Sequence, residues 1–222
     1  VPTVCFSNHT GYASGFKGTK ATVAEMRELI EGLKMNDLLS DVVIVLTGYI
    51  GRPEYLHGIV EILDAFSSTS DSDVLYVCDP VMGDNGKLYV SPELVSIYRD
   101  AVVPKAWLIA PNAFEASTLT SIEIIDKASC HEAIQKLHSM GPTFVAITSV
   151  NLDDKMCVVM SEKGGSVWVI ETKIVPGHFT GTGDLTTALI TAHMMLTEND
   201  IKKTLQRTVK TVYSIIRATH EH

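Results

Sequence analysis

Phe179-Thr180-Gly181-Thr182-Gly183-Asp184 stands directly before a helical run from Leu185 to Leu196. Two glycines ahead of a helix let the backbone approach a ligand closely. The first N–H groups of a helix are unpaired and lie at the positive end of its dipole. Such a turn can hold a phosphate, or the charge that develops on one during transfer. Asp184 sits in that first turn. Capping alone also accounts for Thr182 or Asp184, since both are good capping residues.

Two further groups of polar residues could act with it. Cys78-Asp79-Pro80-Val81-Met82-Gly83-Asp84 sets two carboxylates on either side of a Pro/Gly turn. Such carboxylates can hold Mg²⁺ beside nucleotide phosphates, often through water. A solvated turn is the simpler reading of Asp84. It suits Asp79 less well, because Asp79 stands at the end of a strand-like run. In Pro111-Asn112-Ala113-Phe114-Glu115, Asn112 and Glu115 are spaced to share one face of a helix start. An amide oxygen and a carboxylate suit a hard cation. The same spacing is that of a capping box, which needs no metal and is the simpler account of this motif alone.

The elements that must position these groups alternate along the chain. Asp41 to Tyr49, Val74 to Cys78, Ala106 to Ala110 and Thr143 to Ile147 are short, nearly continuous apolar runs, as strands covered on both faces require. Helical spacing recurs between them, in Val23, Met26, Ile30 and Leu33, and again in Ile201, Leu205, Val209, Val212 and Ile216. Ser91-Pro92-Glu93-Leu94 reads as an N-cap followed by Pro at the first helical position. Met156 to Met160 and Val167 to Val175, joined through Lys163-Gly164-Gly165, predict a late antiparallel hairpin. The alternation predicts an α/β fold with a mostly parallel sheet and helices on both faces. Each of the four apolar runs ends in polar, turn-forming residues: Thr47-Gly48, Asp79-Pro80, Pro111-Asn112 and Thr148-Ser149. Ligands of open parallel sheets bind beyond the carboxyl ends of the strands, so a site is expected along that edge.

The chain has 222 residues, which suits one large domain. Its net charge of −8 argues against a general nucleic-acid partner, which needs a basic face. Cys5, Cys78, Cys130 and Cys157 are scattered without a CxxC pair, so neither a zinc site nor a disulfide framework is expected. No apolar run approaches the ~20 residues of a membrane span.

In this order, the three motifs resemble the ribokinase-like superfamily and, within it, the pyridoxal kinases. Further strings carry the likeness: Phe6-Ser7-Asn8-His9-Thr10-Gly11-Tyr12, Leu46-Thr47-Gly48-Tyr49, Tyr76 to Asp84, Pro111-Asn112 with Phe114-Glu115, His138-Ser139-Met140-Gly141-Pro142 and Gly181-Thr182-Gly183-Asp184. The resemblance runs from about Phe6 to the C-terminus. FSNHTGY and CDPVMGD are more specific than GTGD, which sugar and nucleoside kinases share.

The resemblance implies a single ribokinase-like kinase domain over 1–222. It implies ATP as co-substrate, Mg²⁺ or another divalent cation, a pyridoxal-type substrate phosphorylated on its 5′-hydroxymethyl group and a homodimer, while the scattered cysteines, read as reduced thiols, predict a cytoplasmic location. Asp184 would be the base, with Gly181, Thr182 and Gly183 as the anion hole. Asp79, Asp84, Asn112 and Glu115 would serve phosphates and metal, with Asp79 and Glu115 on the cation. Thr148 and Ser149 would contact the nucleotide, together with Thr182 and Gly183. Thr10 would bind the polar edge of the pyridine ring, Phe6 and Tyr49 would line the pocket, and Tyr89 would lie near substrate or phosphates.

Three departures qualify this. Ala110 replaces the family's Thr and Ala113 its Gln, which bears on a K⁺ site more than on the chemistry. The family's opening βα unit, with a substrate-contacting Ser and a Gly-Asn-Lys turn, is not found ahead of FSNHTGY. The expectation is therefore a sheet short of one central strand, with unpaired backbone on two neighbours, and a weak catalyst. The rival readings are hydroxymethylpyrimidine or another small-molecule kinase of the superfamily, and a catalytically silent nucleotide- or pyridoxal-binding paralogue.

Overall fold

The computed structural model describes every residue except 9, 70–73, 178 and 222, and the side chains of 65 and 67–69. In chain order its elements are β1 (Val4–Phe6), β2 (Gly18–Lys20), α1 (Val23–Met35), β3 (Ile44–Thr47), α2 (Pro53–Thr69), β4 (Leu75–Cys78), β5 (Gly83–Asp84), β6 (Lys87–Leu88), α3 (Pro92–Ile97), β7 (Leu108–Ile109), α4 (Ala113–Thr120), α5 (Lys127–Met140), β8 (Phe144–Leu152), β9 (Lys155–Glu162), β10 (Val167–Glu171), α6 (Thr182–Leu196) and α7 (Ile201–His220). A π-helical turn, Tyr98–Val102, continues α3.

Six strands form one sheet in the order β10-β9-β8-β7-β4-β3. β3, β4, β7 and β8 are parallel, and β8, β9 and β10 form an antiparallel meander. The mostly parallel sheet and the late hairpin are thus as expected. The expected gap is not: β3 pairs directly with β4 and stands at one edge of the sheet. The ladder closes without an interior break, because Ile44 to Thr47 align residue for residue with Leu75 to Cys78.

Alternation along the strands sorts side chains into two layers. Cys78, Ile109, Val145, Ile147 and Val159 pack with the helices α1 to α5. Val77, Leu108, Phe144, Ala146, Val158 and Met160 pack on the other face against Ile190 and Met194 of α6 and Ile201 and Leu205 of α7. Local signals fix where helices begin. Thr22 and Glu25 close a capping box on α1, and Asp126 and Ser129 do the same on α5. Ser91 precedes Pro92 as predicted but makes no side-chain cap hydrogen bond. Buried His138 joins the end of α5 to β9, with Nδ1 3.0 Å from the Pro142 carbonyl and Nε2 2.9 Å from the Ser161 hydroxyl.

β1 and β2 form a separate antiparallel pair beside the sheet. The Thr3 hydroxyl donates to the Tyr49 carbonyl (2.7 Å) and the Tyr55 hydroxyl to the Pro2 carbonyl (3.0 Å), which straps this pair to the β3–α2 connection. Among the described residues no helix is long and apolar enough to cross a membrane.

Candidate active site

The four polar strand ends meet along one edge. The Asp79 amide donates to the Thr47 carbonyl (2.9 Å), the Ala110 amide to the Cys78 carbonyl (2.9 Å) and the Thr148 amide to the Pro111 carbonyl (3.0 Å). The ladder therefore continues one step past each strand and carries the polar residues with it. At Thr148 and Ser149 the β8–β9 register shifts, between Ile147 and Val150. Such a bulge re-aims side chains at the rim of a sheet.

Asp79 continues the alternation of β4, so its side chain points to the same face as Val77, toward α6. There its Oδ2 accepts from the Thr187 hydroxyl at 2.8 Å. Asp79 is buried, and burial pushes its carboxyl up to about 7; the Thr187 bond opposes this and the nearby Asp184 charge adds to it. Thr187 has no place in the motif reading. It lies three residues after Asp184 on α6, the spacing that puts two side chains on one helix face, and that spacing was its signal.

Glu115 reaches the same place from the opposite layer. Its Oε1 accepts from the Met82 and Gly83 amides (2.9 and 3.4 Å), and its Oε2 accepts from the Asn112 amide (2.9 Å). The Glu115 amide donates to Asn112 Oδ1 (2.9 Å), so the capping box is formed in full. Asn112 Nδ2 donates to the Gly83 carbonyl at 2.8 Å. One residue pair thus caps α4 and fastens the 82–83 turn onto it. Gly83 is required there: a Cβ would lie 2.4 Å from the Lys87 carbonyl oxygen and 2.6 Å from the Phe114 ring. Burial pushes the Glu115 carboxyl up to about 7, against its amide donors, with the Asp79 charge contributing.

At the head of α6, Gly181 is the N-cap, in the left-handed region at φ 77°. An L side chain is strained there. No side chain caps this helix, so the capping reading of Thr182 and Asp184 is set aside. Its first amides are left to a ligand or to solvent, and nothing lies within 4 Å of where Cβ atoms on Gly181 or Gly183 would stand. Asp184 is exposed, and its Oδ1 lies 3.6 Å from the position of a Cβ on Gly48, at the end of β3. The carboxylate therefore faces the strand ends.

These features amount to an uncapped helix terminus beside two buried carboxylates and one exposed one. The phosphomethylpyrimidine kinase family model matches residues 17–222. A pyridoxal kinase of Arabidopsis thaliana is 42% identical over 224 residues, spanning 99% of this chain and 72% of that protein. The chain belongs to the pyridoxal kinase family. Among solved structures, pyridoxal kinase from Leishmania donovani in complex with ADP and pyridoxamine is 33% identical with a TM-score of 0.88, over 100% of this chain and 79% of that one. Pyridoxal kinase from Entamoeba histolytica is 25% identical with a TM-score of 0.90, over 97% and 77%.

The remaining residues expected from the family resemblance are not all gathered at the centre. Asp84 is exposed and accepts from the Asn85 amide (2.8 Å), as in a solvated turn. Tyr89 is 57% exposed, and its amide donates to the Met82 carbonyl (2.7 Å). Phe6 packs its ring on Phe16, with centroids 4.6 Å apart, and Thr10 is exposed on the loop that follows. Among the described residues no hydrogen bond or ring contact joins Phe6 or Thr10 to Asp184. His9 of the family string lies outside the described residues.

Gly48 gives a test of this geometry. A methyl group there would make an ordinary contact with Asp184 Oδ1, so the fold should tolerate it. If Asp184 is the base that the family resemblance implies, the methyl would occupy space that the substrate hydroxyl needs. Gly48→Ala should leave the melting temperature unchanged and lower kcat/KM for pyridoxal by roughly tenfold or more, since small displacements at a reacting centre are costly. Unchanged kinetics would place the hydroxyl elsewhere.

Proposed function

We propose that the chain transfers the γ-phosphoryl group of ATP to the 5′-hydroxymethyl group of pyridoxal, pyridoxine or pyridoxamine. The observation that carries this reading is the position of Asp184. It is exposed, it stands in the uncapped first turn of α6, and it faces the ends of β3 and β4. Family membership supplies the substrate class, and the Leishmania donovani kinase bound to ADP and pyridoxamine supports both ligands.

Phosphoryl transfer needs alignment and charge stabilisation more than covalent chemistry. The substrate oxygen attacks the γ-phosphorus, the bond to the β–γ bridging oxygen breaks, and ADP leaves with that electron pair. Asp184 takes the hydroxyl proton. A helix N-terminus favours the ionised carboxylate and so weakens it as a base. In a loose transition state the alcohol gives up its proton late, so a well-aligned weak base suffices. The amides of the Gly181–Gly183 turn face the developing phosphoryl charge. Thr148 and Ser149, at the bulge of β8, would contact the nucleotide.

The donor set near Asp79 fits a divalent cation. Mg²⁺ commonly takes one or two carboxylates and completes its shell with phosphate oxygens and water. Asp79 Oδ1 accepts no hydrogen bond among the described residues, and Glu115 lies beside it. No cluster of three His, Cys, Asp or Glu side chains occurs among those residues, so the phosphates must supply the rest of the shell. When bound, Mg²⁺ neutralises phosphate charge. Buried Ala110 offers no side-chain oxygen, so K⁺ should stimulate activity little. The cytoplasmic location rests on the scattered cysteines and the homodimer on family resemblance; light scattering of the purified protein tests the latter.

A second reading is favoured by one finding: the matching family model is that of phosphomethylpyrimidine kinases. A substrate panel with Mg·ATP, read by chromatography of the products, separates the two. Phosphorylation of pyridoxal in preference to hydroxymethylpyrimidine is the expected result. The reverse preference would replace the proposal by its rival.

A further inference from the structure

Lys20 closes β2, and its side chain reaches across to the segment that leaves β3. Its Nζ donates to the Gly51 carbonyl at 3.1 Å. A Cβ on Gly51 would stand 2.9 Å from that Nζ and 3.0 Å from the Tyr49 hydroxyl, so ammonium and phenol border one spot. Lys20 is exposed, and among the described residues none of the ion pairs engages it. An ammonium has three donors, of which one goes to Gly51. Lys20 lies in none of the strings on which the family likeness rests.

The surroundings set this cation beside the proposed site. In the β1–β2 register Lys20 stands opposite Val4 and Gly18 opposite Phe6, so Lys20, Val4 and Phe6 share one face of the ribbon. The Thr3 hydroxyl ties that ribbon to the Tyr49 carbonyl. Gly48, where a Cβ would stand 3.6 Å from Asp184 Oδ1, is three residues before Gly51. Three residues of chain span at most about 11 Å. The segment 48–51 therefore has the proposed base at one end and a positive charge on a flexible stem at the other.

We infer that Lys20 is a substrate-binding residue that sets specificity: its ammonium holds the ring oxyanion at position 3 of a pyridoxal-type substrate while the 5′-hydroxymethyl group meets Asp184. Pyridoxal, pyridoxine and pyridoxamine share that 3-hydroxyl, and the protonated ring nitrogen makes it acidic enough to ionise in neutral water. Ammonium and oxyanion form a charge-assisted hydrogen bond. Hydroxymethylpyrimidine carries a ring amino group instead, which sets a donor against the ammonium and offers no negative charge. The same contact therefore discriminates against it. This inference rests on the proposed kinase site.

Pyridoxine is the probe, because it has no aldehyde to condense with the amine. Lys20→Met keeps the reach of the side chain and removes its charge. Its KM for pyridoxine should rise roughly tenfold with kcat changed little, the low end for a hydrogen bond to a charged group because the lysine is exposed. Lys20→Arg keeps the charge and should recover most of that loss. The near-ultraviolet spectrum of bound pyridoxine distinguishes the ring oxyanion from the neutral phenol. At neutral pH the oxyanion share should fall in Lys20→Met, while the melting temperature stays close to that of the unsubstituted protein. A lysine that only fastens β2 to Gly51 would lower the melting temperature and leave the spectrum alone. An unchanged KM or an unchanged spectrum of the bound ligand overturns the inference and leaves the kinase reading standing. If the unsubstituted protein neither binds nor phosphorylates pyridoxine, the kinase reading itself fails, and the inference with it.

Discussion

Asp184→Asn should lower kcat for pyridoxal phosphorylation by ~10²–10⁴-fold, the usual cost of removing a general base. Asn is nearly isosteric, and α6 takes its N-cap from Gly181, so the helix start does not depend on the lost charge. The melting temperature and the calorimetric affinities for Mg·ATP and pyridoxal should stay close to those of the unsubstituted protein. A corollary follows from charge. Asp184 helps to hold the Asp79 carboxyl up, so the variant should let Asp79 ionise more readily. Steady-state kinetics beside thermal melts decide the matter. A loss smaller than about tenfold would remove Asp184 from the role of base.

Mg²⁺ should support ATP binding progressively less well as the pH falls below about 7, by up to about tenfold per pH unit for each carboxylate that must ionise. Asp79 and Glu115 are both raised to about 7, chiefly by burial, with the Asp184 charge adding to the first and the Asp79 charge to the second. They should titrate as a pair, not as two independent sites. The effect on the free protein has the opposite sign. Unfolded carboxylates ionise near 4 and the folded pair near 7, so between those values the folded state holds more protons. Stability from these two groups is therefore present below about pH 4 and is lost as the pH rises to about 7. ATP has a protonation of its own in this range. Comparing the protein with Asp79→Asn cancels that contribution. Chelation should abolish turnover and Mg²⁺ should restore it. Glu115→Gln should raise the Mg²⁺ requirement, and it also sets an amide donor against one of the backbone amides that Glu115 now accepts. Equal Mg²⁺ titrations for the protein and both variants at pH 6 and pH 8 would return Asn112 and Glu115 to capping alone.

The sequence was most informative where one local rule governs. Asn112 with Glu115 marks the start of α4 because each side chain bonds the other's backbone within one turn. The Lys163-Gly164-Gly165 turn was legible for the same reason, with Gly164 at φ 72°. Strand limits were less so. Asp41 to Tyr49 is a nearly continuous apolar run, yet only Ile44–Thr47 pairs, because β4 offers partners to those residues alone. Conversely β8 runs on to Leu152, past its polar Thr148-Ser149, because β9 supplies a partner beyond the bulge.

For the site, the residue types and their order determined the chemistry. A glycine turn before a helix, an Asp at its first turn, and carboxylates at two other element ends point to phosphoryl transfer wherever they meet. What the chain order leaves open is which of them meet. The period-two alternation of β4 sends Asp79 to the α6 side while Glu115 arrives from α4 on the other, so only the assembled sheet brings the pair together. Asp84 and Asp79 share one motif, but one is solvated and the other buried, because the turn between them leaves the sheet. The raised carboxyls of Asp79 and Glu115 and the Thr187 bond depend on burial between layers. Burial is set by contacts between residues distant in the chain, and no local pattern encodes it.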